Sequence, residues 1–303
     1  MHAKMTLSKM MEWIENGRGI GVGDSYTPWL LPTKRGTSST SNQSYVPMPL
    51  LRRHCYFLSR GERHLAHVFW WLGAVDVREQ FPLWPWPHPH PMSEVVPGRE
   101  WPDHPGMDAV ADDAGIHVYC YAGVGISHVL TIDLMVTLRA PDGSVRLLGV
   151  SCKPRERFER AEFGNRLRER LELDRRYCNA GGISHMLVHP EQLPPVLVRQ
   201  LEWLAPLAPY EFVQSLIASD RYQCFLKHLR ETAYIKPIRT AAIAAGEKLR
   251  WNSEQIRFAT HTALWRQDLE ADLSRPLSTA SPLPLGGEGF RQKLSARLLG
   301  ESA

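Results

Sequence analysis

No stretch of the 303-residue chain approaches 18 consecutive apolar residues, which leaves no candidate for a membrane-spanning helix. The N-terminal M-H-A-K-M-T-L-S-K-M-M-E-W lacks the apolar core of a signal peptide, so neither secretion nor membrane insertion is expected. Five cysteines with no C-x-x-C pair argue against a disulfide framework or a zinc ribbon, and for a reducing cytoplasm. No internal repeat is visible. Charge of one sign is also missing: 36 Lys and Arg face 32 Asp and Glu, a net of +4 that permits a nucleic-acid partner without demanding one. What is present is the composition of a soluble globular protein, 43% hydrophobic and 22% charged, with enough chain for one large domain or two ordinary ones.

The spacing predicts a short helix over Leu7 to Glu15, followed by G-R-G-I-G-V-G-D-S-Y-T-P-W-L. Its alternating glycines suggest a phosphate loop, but no strand precedes them, no helix follows and no G-K-[ST] appears. For residues 1–50 the expectation is a basic, glycine-rich arm lying on a partner or on DNA, with T-S-S-T-S-N-Q-S as a flexible surface link. From Ser59, S-R-G-E-R-H-L-A-H-V-F-W-W-L-G reads as a helix. Ser59 caps it, Glu62 stands where a capping box needs its acid, Leu65, Val68, Phe69 and Leu72 form the apolar stripe, and Gly73 stops it. A strand is expected over Val75 to Phe81. Pro82 to Pro105 then carries eight prolines with Trp84, Trp86 and Trp101, and a segment of that length without regular structure is usually functional or mobile. His88, His90, His104 and His117 invite a zinc reading, yet H-P-H-P sets the imidazoles in an extended chain without the partners a closed tetrahedral site needs. Aromatic packing of a surface loop, or stacking on DNA, is expected there instead.

The stretch Ile132 to Pro154, I-D-L-M-V-T-L-R-A-P-D-G-S-V-R-L-L-G-V-S-C-K-P, reads as a hairpin: β-branched and apolar residues on both sides of Pro141, Asp142, Gly143 and Ser144. A turn centred near Asp142 and Gly143 puts Asp133 opposite Cys152 or Lys153, so a carboxylate and an ammonium emerge together where one strand begins and its partner ends. Pro154 cannot extend the ladder. The ordinary reading is a solvated cross-strand ion pair. Against it stand the flanking L-M-V and L-L-G-V, because charges are rarely left in buried strands without partners or a metal.

Arg155 to Tyr177 reads as a charged helix, and Lys153 to Arg176 holds nine Lys or Arg against six Asp or Glu. It is either an ordinary solvated helix laced with i,i+4 pairs or one that lines a phosphate backbone. A strand over Ile183 to Val188 and a helix over Pro194 to Leu204 complete an α/β (α+β) order, a mixed sheet flanked by helices. Beyond Pro209 only helical spacing remains, over Tyr210 to Arg230, Ile238 to Leu249 and Ser253 to Leu269, with D-L-S-R-P-L as a candidate wing strand. This is a small helical or winged-helix-like module, or docking helices for the first domain. The expected divisions are residues 1–50 (arm), 51–207 (core domain), 208–278 (C-terminal helical domain) and 279–303, a low-complexity linker ending in a weak amphipathic, flexible tail.

A helix bearing Glu62, a strand bearing Asp133 and a next strand ending in x-x-Lys153 is the layout of PD-(D/E)xK nucleases. In order and spacing, G-R-G-I-G-V-G-D-S-Y-T-P-W-L, L-S-R-G-E-R-H-L-A-H-V-F, V-D-V-R-E-Q-F-P-L, L-T-I-D-L-M-V, V-S-C-K-P and R-L-E-L-D-R-R-Y-C resemble the TnsA-type endonuclease subunits of heteromeric bacterial transposases. The resemblance covers Gly17 to Leu204, and the rest only by helical pattern and D-L-S-R-P-L. It implies a restriction-endonuclease-like fold with Glu62, Asp133 and Lys153 as catalytic residues. Glu62 and Asp133 would hold Mg²⁺, with Mn²⁺ able to substitute. Glu172 matches a glutamate of the family's helix after the lysine strand, in a role that could be structural. Two residues before the lysine the family usually has Gln or Glu; here Ser151 stands on the face Lys153 shares, and any metal contact from its shorter hydroxyl would run through water. The resemblance further implies cleavage of the 5′ strand at transposon ends, beside a TnsB-like DDE transposase and a TnsC-like AAA+ ATPase contacted through the C-terminal domain. The setting it implies is the bacterial cytoplasm, on the nucleoid when active. A non-catalytic adaptor between transposase and ATPase, and an autonomous restriction-like nuclease, are the rival readings.

Overall fold

The computed structural model describes residues 5–31, 42–48, 51–140, 142–159, 161–205 and 208–300. Most of T-S-S-T-S-N-Q-S and Pro141 of the hairpin turn lie outside these residues. The chain divides into two compact units, residues 1–46 with 53–192, and residues 47–52 with 193–303. The division falls ahead of the Pro194 to Leu204 helix rather than after it. None of the helices is long and apolar enough to cross a membrane, among the described residues.

In the first unit the order is α1 (Leu7–Glu15), β1 (Ser44–Pro47), β2 (His54–Phe57), α2 (Arg60–Trp71), β3 (Asp76–Leu83), α3 (Met107–Ala114), β4 (Leu130–Arg139), β5 (Val145–Cys152), α4 (Glu156–Glu159), α5 (Ala161–Ala180) and β6 (Ser184–Val188). The last four strands form one mixed sheet in the order β3-β4-β5-β6, antiparallel except for the parallel β5–β6 pair. The hairpin forms as read from sequence. Its register is tighter by a residue, Leu134 pairing with Val150, which sets Asp133 level with Ser151 rather than with Cys152 or Lys153. β4 is buried from Ile132 through Leu138, as expected of a central strand covered on both faces. α5 lies against the sheet through Leu173 and Tyr177, one turn apart, in a core with Phe81, Leu83, Met107, Ile132, Leu147 and Cys178. The approach is close: a Cβ at Gly149 of β5 would stand 2.5 Å from Cys178 Sγ, so a larger residue there would push helix from sheet.

The described part of the glycine-rich arm is packed, not extended. It folds back on its own unit, with Tyr26 and Trp29 buried. Its amides, freed by positive φ at Gly21 and Gly23, donate to Glu94 Oε1 from Gly21 (2.9 Å) and to Asp76 Oδ2 from Gly23 (2.8 Å). A loop of the kind that cradles phosphate is therefore filled by the protein's own carboxylates.

The proline-rich segment is likewise internal. His88, His90 and His104 are buried, and each ring has one nitrogen giving and one taking. His90 Nδ1 accepts from Met92 N (3.0 Å) and Nε2 donates to the Gly181 carbonyl (2.7 Å); His104 Nδ1 accepts from Gly106 N (3.0 Å) and Nε2 donates to the Tyr177 carbonyl (2.9 Å). That arrangement fixes neutral imidazoles as structural pins. Burial lowers His104 to about 4 from its usual 6.5. The unfolded chain takes up this proton near 6.5, so the stability His104 supplies is whole above that pH and drains away as the pH falls toward 4. Thermal melts should show the melting temperature falling across this window. A flat profile between pH 7 and pH 4.5 would contradict the assignment. α3, which follows, carries only Met107, Val110 and Ala111 inward; so short a helix behind a glycine cap was not foreseen from the sequence.

The second unit is helical: α6 (Pro195–Leu204), α7 (Tyr210–Ile217), α8 (Asp220–Thr232), α9 (Ile238–Lys248), α10 (Ser253–Arg266) and α11 (Gly287–Leu299). The single helix expected over Tyr210 to Arg230 is two, because Ser219 accepts from Tyr222 N (3.2 Å) and starts α8 afresh. D-L-S-R-P-L is no wing strand. Gln200 of α6 takes up its backbone instead, donating to the Leu273 carbonyl (2.7 Å) and accepting from Leu277 N (2.6 Å). The expected flexible tail contains α11, which buries Leu294, Leu298 and Leu299.

Candidate active site

Asp133 lies near the start of β4 and Lys153 one residue past the end of β5. Lys153 N still donates to the Val188 carbonyl of β6 (3.1 Å), which keeps the chain in line until Pro154 turns it away. The Lys153 ammonium reaches both oxygens of Asp133, 2.8 Å to Oδ1 and 2.6 Å to Oδ2, and Cys152 N donates to Oδ2 at 2.7 Å. Asp133 is 6% exposed, so this is a desolvated, charge-assisted pair rather than a surface bridge.

Glu62 is in the first turn of α2 and holds the capping position while facing this pair. Ser59 Oγ accepts from Glu62 N (3.2 Å) and donates to Glu62 Oε1 (2.8 Å). Leu58 N (3.0 Å) and Gln80 Nε2 (3.2 Å) both donate to Oε2. Burial, and then the negative charge of Asp133, raise Glu62 to about 7, against the pull of Lys153. The capping position therefore does not take Glu62 away from the Asp133–Lys153 pair, for the carboxylate held by Ser59 is also within reach of their charges.

Ser151 is placed differently from expectation. Its hydroxyl donates to Asp174 Oδ2 of α5 (3.0 Å) and meets His185 Nε2 of β6 (3.0 Å), turned to this pair instead of to Lys153. Arg170 forms an ion pair with Asp174 and donates to the Thr131 carbonyl (3.0 Å). Burial lowers Arg170 to about 10, and burial lowers His185 to about 4. Glu172 is not part of this cluster. It pairs on the helix surface with Arg175 (2.6 Å) and Arg176 (2.8 Å), whose hydrogen bonds lower it to about 2. Two residues on, about 200° round the helix, Asp174 is the acid of L-E-L-D that points inward. Sequence reasoning missed Asp174, Arg170, His185 and Gln80. The available signal for Gln80 was three consecutive polar residues, Arg78, Glu79 and Gln80, in the strand expected over Val75 to Phe81.

Among the described residues no group of three His, Cys, Asp or Glu is spaced to hold a metal. A small hard dication needs less, one or two carboxylates with water and phosphate oxygens completing its shell. The donors present fit such an ion: two buried carboxylates, one of them raised to about 7 by burial and then by the other's charge, and a lysine supplying positive charge between strands. The neighbouring Cys152 thiol is pushed up by burial and then by Asp133.

A mixed four-stranded sheet flanked by helices, with an acid and a lysine brought together across adjacent strands and a second acid in a helix cap, defines a protein of the restriction-endonuclease-like class. No family model matches the chain. Among characterised proteins it is similar to the transposon Tn7 transposition protein TnsA of Escherichia coli, 28% identical over 206 residues. The match takes in 68% of this chain and 65% of that protein, so it spans less than two thirds of the relative's length. It supports a TnsA-type family member.

Proposed function

We propose that the chain is the endonuclease subunit of a heteromeric transposase, hydrolysing the 5′-strand phosphodiester at transposon ends with Mg²⁺, or Mn²⁺ in its place. The observation that supports this most is the convergence of Lys153 on both oxygens of a buried Asp133, with a second buried carboxylate, Glu62, within reach of their charges. Glu62 and Asp133 would hold the ion, which supplies Lewis acidity and a more acidic bound water. Lys153, which pairs with Asp133 in the structure, would supply positive charge beside that ion. Close to the scissile group, its ammonium would offset negative charge developing on the phosphate and orient the attacking water. Cys152 N and Ser59 Oγ, by donating to the two carboxylates, fix their orientation.

Ser151, with its hydroxyl on Asp174 and His185, serves as a brace between β5, β6 and α5 in this reading. A net charge of +4 gives little nonspecific grip on a polyanion. Recognition of the transposon end thus falls to a TnsB-like transposase, and contact with a TnsC-like AAA+ ATPase to the helical second unit, in the bacterial cytoplasm. The test is end cleavage reconstituted with the partner proteins, each strand read separately on denaturing gels. Breaks in the 5′ strand should vanish with a chelator, return with Mg²⁺ or Mn²⁺, and be lost in Glu62→Gln. If Glu62→Gln supports 5′ breaks at the wild-type rate, the chain is an adaptor and not the nuclease.

A further inference from the structure

We propose that Gln80 is the positioning residue for Glu62, its side-chain amide holding that carboxylate at the level of Asp133 by way of an unfavourable backbone conformation. The inference rests on the reading of Glu62 and Asp133 as holders of a divalent cation. Gln80 lies within β3 and is 2% exposed, yet its φ is +49°, in the left-handed region that side-chain-bearing residues rarely adopt. Its neighbours pair regularly, Glu79 with Leu134 and Phe81 with Ile132, so Gln80 stands directly across from Asp133. The carbonyl is turned to the arm, where Trp29 N donates to it at 3.3 Å.

The side chain gains what the backbone gives up. Nε2 donates to Glu62 Oε2 at 3.2 Å, and Oε1 accepts from Thr131 Oγ1 at 2.8 Å. Oε2 of Glu62 also accepts from Leu58 N, so the amide nitrogen faces Glu62 and the amide oxygen takes the Thr131 hydroxyl. Both ends of the amide are thereby used, and it cannot rotate without abandoning one partner. Thr131 is two residues before Asp133 on β4, so the link runs from α2 through β3 to the strand that carries the other acid. Strained, buried, non-glycine residues persist where the surroundings dictate them, and they gather at functional sites. Here the strain aims an amide at one of two acids that have to meet a common ion. Partners of this kind behind a metal-holding side chain are worth roughly 10- to 100-fold in affinity when removed.

The measurement is Mn²⁺ binding to the full chain without DNA, followed by calorimetry or by the paramagnetic signal of free Mn²⁺, together with thermal melting. Gln80→Gly relieves the backbone conformation while deleting the amide. Its Mn²⁺ dissociation constant should rise about 10-fold or more, with the melting temperature nearly unchanged. Thr131→Val keeps the Gln80 backbone but removes the hydroxyl that fixes the amide, and should shift binding in the same direction by less. A merely structural Gln80 would lower the melting temperature and leave Mn²⁺ affinity alone. Wild-type affinity in Gln80→Gly overturns the proposal, and if that variant does not fold, wild-type affinity in Thr131→Val does so. A wild-type chain that binds no Mn²⁺ overturns the metal-dependent reading itself and this inference with it, which is a different result from equal binding by wild type and variant.

Discussion

Asp133→Ala should reduce 5′-strand cleavage at transposon ends by roughly 10²–10³-fold or more, with cutting and joining of the 3′ strand by the partner transposase retained. Asp133 is the acid on which the other groups converge: it accepts both short contacts from Lys153 and the Cys152 amide. Without it, Glu62 alone faces any cation, and Lys153 loses the partner that sets its ammonium in place. Some of the damage would be structural, since Cys152 N is left buried without an acceptor, at a cost of about 1–3 kcal/mol. Asp133→Asn separates the two effects. Its amide oxygen can still accept from Cys152 N, so the fold should melt close to wild type while the negative charge, and with it cleavage, is gone. Full 5′ cutting by a folded Asp133→Asn chain would remove this carboxylate from the chemistry.

The largest effect on stability is expected away from the chemistry, at Glu79→Ala. Glu79 is fully buried, and both its oxygens accept from Arg53 Nη1, at 2.9 and 3.0 Å, while Tyr56 N donates at 2.9 Å. Arg53 also donates to the Gly23 and Val77 carbonyls, so one ion pair ties the arm, β2 and β3 together. Removing only the acid strands a buried guanidinium, which typically costs about 3–5 kcal/mol. For a unit of this size that is a melting temperature lower by roughly 10 °C. The contrast is Glu172→Ala on the surface of α5, where two arginines lose an exposed carboxylate partner. Exposed pairs contribute roughly 0–1 kcal/mol, so that variant should melt and cleave nearly as wild type does. A Glu79→Ala chain that melts within a degree or two of wild type would mean that the Arg53 pair is not holding the arm.

What the sequence made legible follows from which interactions are local. The hairpin was readable because Asp142 and Gly143 lie between two apolar runs, and α2 because Ser59, Glu62 and Gly73 mark its ends within a single turn. The register was readable only to within a residue, since turn composition does not fix how many residues the loop takes up. Lys153 and Asp133 could still be brought together, because a long lysine spans that error. Asp174 could not be told from Glu172, since both belong to a charged run and only packing of Leu173 and Tyr177 against the sheet decides which acid faces inward. Gln80 was illegible for a deeper reason: a left-handed residue within a strand contradicts local preference, and only contacts with Trp29, Thr131 and Glu62, all distant in sequence, compel it. The arm misled in the same way. Its glycines predict backbone freedom correctly, but not that Asp76 and Glu94 would take up the amides so released.

The most direct measurement of the central claim is a crystal structure of the chain grown with Mn²⁺, read by anomalous scattering. The account predicts an anomalous peak bound by the carboxylates of both Glu62 and Asp133, with the Lys153 ammonium withdrawn from Asp133. A peak bound elsewhere, with Lys153 still on both Asp133 oxygens, would contradict it.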